Sequence, residues 1–370
     1  MNETKSYPTT RVPKTPYRRA TPPDRSALRL DGNEGDMPPQ LTLRSLAANS
    51  PGMLRDYPDL AELEGAVAAR FGVNPECVVI TAGADDAIDR VCRAFLEPGR
   101  ELLVPTPTFE MIHRFAEMAG GTVATVPWKS SFPVNALASR LKTDTALVAI
   151  VSPNNPTGLT ASLSDLEQIV SAASSSYILL DHAYVEYADT DLTAAALKHE
   201  NVIVARTFSK AWGLAGCRVG YALASPEVAN VIRNAGNPYP VSAPSIAVVL
   251  ERLRLGQAAL DWHVGRVRKE RAQLRQFLDE HGVTSPRSEG NFVFAELGER
   301  TESTYVGLAE AGVLVRFFPH RPETRTGLRL SLPGEDHGFA RLLRALGACL
   351  SEAQSSTTPS DNDSTMETLQ

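Results

Sequence analysis

The stretch Arg206-Thr207-Phe208-Ser209-Lys210-Ala211-Trp212-Gly213-Leu214-Ala215-Gly216-Cys217-Arg218-Val219-Gly220 holds the densest chemistry in the chain. One amine sits among small hydroxyl residues, a glycine-rich turn follows it, and an arginine comes eight residues on. A lysine that forms a Schiff base needs a desolvated site that favours its neutral or imine form. Neighbouring hydroxyls and an arginine suit a phosphate dianion, because a guanidinium offers a planar fork of donors. Lysine and phosphate site together point to pyridoxal 5'-phosphate. By itself the stretch also reads as a surface lysine after a strand, with a structural arginine nearby.

Three further segments strengthen the cofactor reading. Val151-Ser152-Pro153-Asn154-Asn155-Pro156-Thr157-Gly158 turns sharply after the apolar run Ala146 to Val151. Tyr177-Ile178-Leu179-Leu180-Asp181-His182-Ala183-Tyr184 brings a carboxylate to a strand end, with a phenol three residues later. Ile80-Thr81-Ala82-Gly83-Ala84-Asp85-Asp86-Ala87 passes from a strand through glycine into a helix start. In order and spacing the four segments resemble the fold-type I pyridoxal-phosphate aminotransferases, class I/II. Within that superfamily the chain is most similar to the histidinol-phosphate aminotransferases, from about Tyr17 to about Leu350.

The resemblance implies a role for each of these residues. Lys210 forms the Schiff base and shuttles the substrate proton. Asp181 pairs with the protonated pyridine nitrogen, and Asn155 and Tyr184 hydrogen-bond the phenolic oxygen. The phosphate rests on the free N–H groups of Ala84 and Asp85, where a helix dipole favours an anion. Thr207, Ser209 and Arg218 complete that cup, and the Asp85 carboxylate is expected to turn away from it. Phe109 stacks on the ring, where the family typically carries tyrosine. Tyr57 reaches a partner's cofactor phosphate, so a homodimer is implied. Arg329, Arg316 and Tyr17 face the substrate, and Asn33 and Glu34 echo the family's N-terminal signature. Purely structural roles are the alternatives: a helix cap or turn acid for Asp181, a turn-stabilising amide for Asn155, a core tyrosine for Tyr184 and a surface-turn tyrosine for Tyr57.

Bulk properties fit an enzyme of this kind. The 370 residues suffice for a large core and two domains. Apolar content of 43% and charged content of 22% are ordinary for a globular protein, and a net charge of -6 gives no support for nucleic-acid binding. No apolar run approaches a membrane span and no secretory signal opens the chain, so a cytoplasmic location is expected. Four scattered cysteines and seven scattered histidines fit no metal-ligand spacing, and no metal is expected. His182 reads as a packing residue or an outward-facing group. There is no G-x-G-x-x-G after a strand and no Walker A pattern, which weighs against a nucleotide enzyme.

Short apolar strands alternate with helical patterns from Cys77 onward, implying an α/β fold with a mainly parallel sheet covered on both faces. Strands are predicted at Cys77 to Thr81, Glu101 to Val104, Thr122 to Val126, Ala146 to Val151, Tyr177 to Asp181, Val202 to Ala205 and Val219 to Ala224. A long helical stretch spans Ser242 to Gly282. Beyond it lie strands at Asn291 to Ala295, Val313 to Phe317 and Leu328 to Leu332, then a helix from Asp336. The expected organisation is an N-terminal arm at 1–29 containing five prolines, a large cofactor-binding domain at 30–245, a smaller α+β domain at 246–353, and a polar tail at 354–370 expected to be disordered.

The resemblance favours transfer of an amino group from histidinol phosphate to 2-oxoglutarate, a step of histidine biosynthesis. Two arginines and two tyrosines around one pocket suit a phosphate monoester. The alternatives are an aminotransferase for an aromatic or specialised amino acid, which Phe109 and the Gly35-Asp36-Met37-Pro38 variation support, and a phosphoamino-acid decarboxylase. A pyridoxal-phosphate-binding transcription regulator would need a DNA-binding domain that neither the arm nor the acidic tail supplies.

Overall fold

The computed structural model describes residues 26–37 and 52–355. Tyr17 and nearly all of the expected tail lie outside them; the last helix, Asp336–Ser355, runs two residues into that tail.

Among the described residues there are twelve strands: β1 (Leu28–Arg29), β2 (Val78–Thr81), β3 (Glu101–Thr106), β4 (Thr122–Pro127), β5 (Thr145–Val151), β6 (Tyr177–Asp181), β7 (Val202–Thr207), β8 (Gly220–Leu223), β9 (Phe292–Glu296), β10 (Val313–Leu314), β11 (Arg316–Phe317) and β12 (Gly327–Ser331). Seven of them form one sheet in the order β2-β8-β7-β6-β5-β3-β4. Neighbours from β7 to β4 are parallel, and only β8 runs against its two neighbours.

The near-continuous apolar runs have a direct cause. Successive strand residues point to opposite faces, and here both faces are covered. Val148, Ile150, Ile178, Leu180, Val202 and Val204 enter one core. Leu147, Ala149, Leu179, Ile203 and Ala205 enter the other. Because β2 and β8 are antiparallel, as are β8 and β7, the end of β2 lies at the same edge as the ends of the parallel strands. The segments following β2, β3, β5, β6 and β7 therefore converge on one edge, where ligands of such sheets collect. Arg218 reaches that edge from the other direction, just ahead of the reversed strand β8.

Beyond the sheet, Ser242 caps the helix Ala243–Leu255 by accepting from the Ser245 N–H. A second helix, Gln257–Glu280, follows. The predicted continuous helical stretch thus breaks at Gly256, where an added Cβ would stand 2.4 Å from the Arg252 carbonyl oxygen. Strands β11, β12 and β9 form a three-stranded antiparallel sheet. The strand expected across Val313 to Phe317 is divided. β10 pairs with β1 in parallel, while β11 pairs with β12, with buried Val315 between the two strands. Among the described residues, no helix is long and apolar enough to cross a membrane.

Candidate active site

A cavity of about 370 Å³ opens at the converging strand ends. Twelve of the residues singled out from the sequence line it: Ala84 and Asp85 after β2, Phe109 after β3, Asn155 after β5, Asp181 and Tyr184 from β6 onward, Thr207, Ser209, Lys210 and Arg218 around β7 and β8, and Arg316 and Arg329 from the small sheet. Tyr57 is not among them. It is 80% exposed and stacks on Tyr239 with ring centroids 4.4 Å apart.

Lys210 Nζ donates to the Gly32 carbonyl at 3.0 Å and lies 5.5 Å from the Tyr184 ring centroid. Its loop is pressed against the N-terminal segment. An added Cβ on Gly35 would stand 1.8 Å from the Lys210 carbonyl oxygen, and one on Gly213 would stand 2.0 Å from that of Asp36. Both glycines are therefore required by close backbone approach.

Asp181 ends β6 almost fully buried, accepting one N–H from Ala183 at 3.0 Å. Burial pushes its carboxyl up to about 7, opposing the effect of that hydrogen bond. A buried acid of this kind is matched by a protonated ring nitrogen, which would supply both the missing proton donor and the missing positive charge. Adjacent His182 is a packing residue: it is buried against Thr193, and burial together with Arg206 lowers it to about 3, so it stays neutral.

The helix Ala84–Phe95 starts behind Gly83, which has φ 91° and supplies no side-chain cap. Its first residues, Ala84 and Asp85, line the cavity, and N–H groups at a helix start with the dipole behind them suit an anion. The missing Gly83 side chain makes room for Arg218, whose Nη2 would stand 2.8 Å from a Cβ there. Thr207 Oγ1 donates to Ser209 Oγ at 2.9 Å, and Arg218 Nη1 reaches Ser209 Oγ at 3.4 Å. The Asp85 carboxyl does not turn wholly away as expected. It lies 4.0 Å from Arg218, and burial raises its pKa against the pull of Arg218 and Lys210.

Asn155 Oδ1 accepts from Arg329 at 2.8 Å, and Arg329 also donates to the Asp31 carbonyl at 2.7 Å. The neighbouring Asn154 pins the loop carrying Phe109: its Oδ1 accepts from Thr108 at 3.0 Å and its Nδ2 donates to the Pro107 carbonyl at 2.9 Å. Arg316 stands directly opposite Arg329 in the β11–β12 register. Sequence reading missed part of the outer wall. Glu110, Phe318 and Arg321 also line the cavity, with Arg321 bound to the Glu110 carboxylate and to the Thr108 carbonyl. Glu110 stands beside Phe109 and was within reach of motif reading, whereas Phe318 and Arg321 sit in a turn without periodic signal.

An amine, a buried acid, an anion cup and two arginines on one cavity fit pyridoxal 5'-phosphate and an anionic substrate, and together define a pyridoxal-phosphate aminotransferase of fold-type I. The family Aminotransferase class I and II matches residues 27–346, and this chain belongs to it. An aromatic amino acid aminotransferase of Thermobifida fusca is 32% identical over 342 residues, covering 90% of this chain and 94% of the relative. A histidinol-phosphate aminotransferase of Dehalococcoides mccartyi is 32% identical over 326 residues, covering 86% and 89%. The crystal structure of histidinol-phosphate aminotransferase from Sinorhizobium meliloti in complex with pyridoxal-5'-phosphate superposes with a TM-score of 0.81 at 25% identity, covering 88% of this chain and 91% of that one. The protein is thus a pyridoxal-phosphate-dependent aminotransferase.

Proposed function

We propose that histidinol phosphate is the amino donor and 2-oxoglutarate the acceptor. The carrying observation is the pairing of Arg316 with Arg329 across β11 and β12, which sets two guanidinium side chains on one cavity wall. Two such forks suit a phosphate dianion in one half-reaction and a dicarboxylate in the other. The Dehalococcoides relative and the Sinorhizobium structure support the same donor.

When bound, pyridoxal 5'-phosphate supplies the electron sink that lets the donor's Cα–H bond ionise. Lys210 holds the cofactor covalently, and its Nζ, once released, moves the Cα proton. Asp181 keeps a proton on the ring nitrogen. Asn155 and Tyr184 donate hydrogen bonds to the phenolic oxygen, and Phe109 covers one ring face. The N–H groups of Ala84 and Asp85, the Thr207 and Ser209 hydroxyls and the Arg218 guanidinium hold the phosphate. Tyr17, the remaining residue that the resemblance assigns to the donor, lies outside the described residues. Residues 30–245 and 246–353 act as large and small domains around the cleft. Two copies assemble so that Tyr57, exposed and not part of the lining of its own cavity, reaches the partner's cofactor phosphate.

One observation favours an aromatic donor instead. Phe318 lies 5.7, 5.5 and 5.9 Å from the Cζ atoms of Arg316, Arg321 and Arg329, giving the outer wall an aromatic surface. The Thermobifida relative is in keeping with this. Single-turnover half-reactions with histidinol phosphate, histidinol and phenylalanine separate the two. Histidinol should react at least about a hundredfold less efficiently than its phosphate, because the charge-assisted contacts between the phosphate and the arginines are then missing. Arg316→Ala should lower kcat/KM for histidinol phosphate roughly ten- to a hundredfold. Equal rates with histidinol and its phosphate, or phenylalanine outrunning both, would replace this reading by the aromatic one.

A further inference from the structure

We propose that Asn33 is a positioning residue that fixes the direction of the Tyr184 hydroxyl proton. Asn33 is 1% exposed and held with φ 54°, a conformation that asparagine tolerates better than most side chains. Its Nδ2 donates to the Tyr184 hydroxyl oxygen at 3.1 Å. The opposite end of the same amide is occupied, since Oδ1 accepts from the Ser331 hydroxyl. Its backbone carbonyl accepts from Asn291 Nδ2 at 3.3 Å. With Oδ1 engaged by Ser331, the amide nitrogen is the atom turned to Tyr184.

Tyr184 has little other freedom. It is 5% exposed, and its ring packs edge-on against Phe292 with centroids 5.1 Å apart. The remaining variable is the torsion of the hydroxyl. A phenol has one proton to give and lone pairs to receive. With Asn33 filling a lone pair, the Tyr184 proton has to go to a different acceptor, and the side chain lines the cavity. Bonds in such a chain polarise one another, so the Asn33 contact makes Tyr184 a stronger donor. Ser331 lies two residues beyond Arg329 on β12, so the same amide ties the phenol to the strand carrying the substrate arginine.

This inference rests on the reading that Tyr184 donates to the cofactor's phenolic oxygen. A donor there favours the anionic oxygen and lets the linkage to Lys210 lose its proton at lower pH. The readout is the pH midpoint of the visible absorbance of the holoenzyme, which needs no substrate. Asn33→Gly keeps the positive φ and the backbone carbonyl while deleting the amide, and should raise the midpoint by about half to one pH unit. Asn33→Asp keeps the size, replaces the donor by an acceptor, and should move the midpoint the same way. Tyr184→Phe should raise it too, and adding Asn33→Gly to Tyr184→Phe should then change nothing further. A raised midpoint in Tyr184→Phe with none in either Asn33 variant overturns this proposal alone, as do Asn33 and Tyr184 effects that simply add. An unmoved midpoint in Tyr184→Phe overturns the Tyr184 reading and this proposal with it.

Discussion

Asp181 shows how a single side chain is shaped for a guest. Its folded-state carboxyl, raised to about 7, binds a proton where the unfolded chain, near 3.8, has released it. Between those values the folded Asp181 holds a proton that the unfolded one has lost, so its contribution to stability falls as pH rises from about 4 to 7. Asp181→Asn removes the penalty. The cofactor-free Asn variant should therefore melt roughly 2–5 °C above the cofactor-free parent at pH 8, with the gap closing toward pH 4. Thermal unfolding of both proteins across that range checks it, and a gap independent of pH would mean that Asp181 is not the titrating group. The same substitution should abolish amino transfer, since a neutral amide cannot hold the ring nitrogen protonated. His182, lowered from 6.5 to about 3, acts in the opposite sense, because the unfolded chain binds a proton there that the folded one does not, but it is common to both proteins and cancels in the gap between them.

Whole elements were legible where a local signal specified them. The runs Ala146 to Val151, Tyr177 to Asp181 and Val202 to Ala205 fall on β5, β6 and β7, because strands covered on both faces need no polar alternation. The helix after Gly83 begins as expected, at Ala84, since a positive-φ glycine stops a strand and frees N–H groups. Ten of the twelve site residues meet in one cavity because they lie at strand ends on one edge of the mainly parallel sheet, and Arg316 and Arg329 join them from the small sheet. What escaped the sequence depends on partners distant along the chain. The division of Val313 to Phe317 is set by β1 and β12, and nothing within five residues encodes it. The press of Gly35 on the Lys210 loop and the Arg321–Glu110 pair arise from chain segments that only the finished fold brings together.

For the molecule as a whole, the exposed Tyr57–Tyr239 stack outside the cavity is the feature that a homodimer would use. Mixing Lys210→Ala protein with Tyr57→Phe protein under conditions of subunit exchange tests it. If Tyr57 acts across the interface, each mixed dimer has one site with both lesions and one with neither, so activity should partly return. Proven exchange without recovery would assign Tyr57 to its own subunit or to neither site. The expectations about amino transfer depend on Lys210 being the residue that carries the cofactor within a cavity built from seven-stranded-sheet ends and the small sheet. Borohydride reduction of the holoenzyme, followed by peptide mass mapping, tests that directly. The pyridoxyl group should be found on the peptide containing Lys210, and Lys210→Ala should fold without acquiring it. A pyridoxyl group on another lysine, or none on a protein that retains pyridoxal 5'-phosphate, would contradict the assignment.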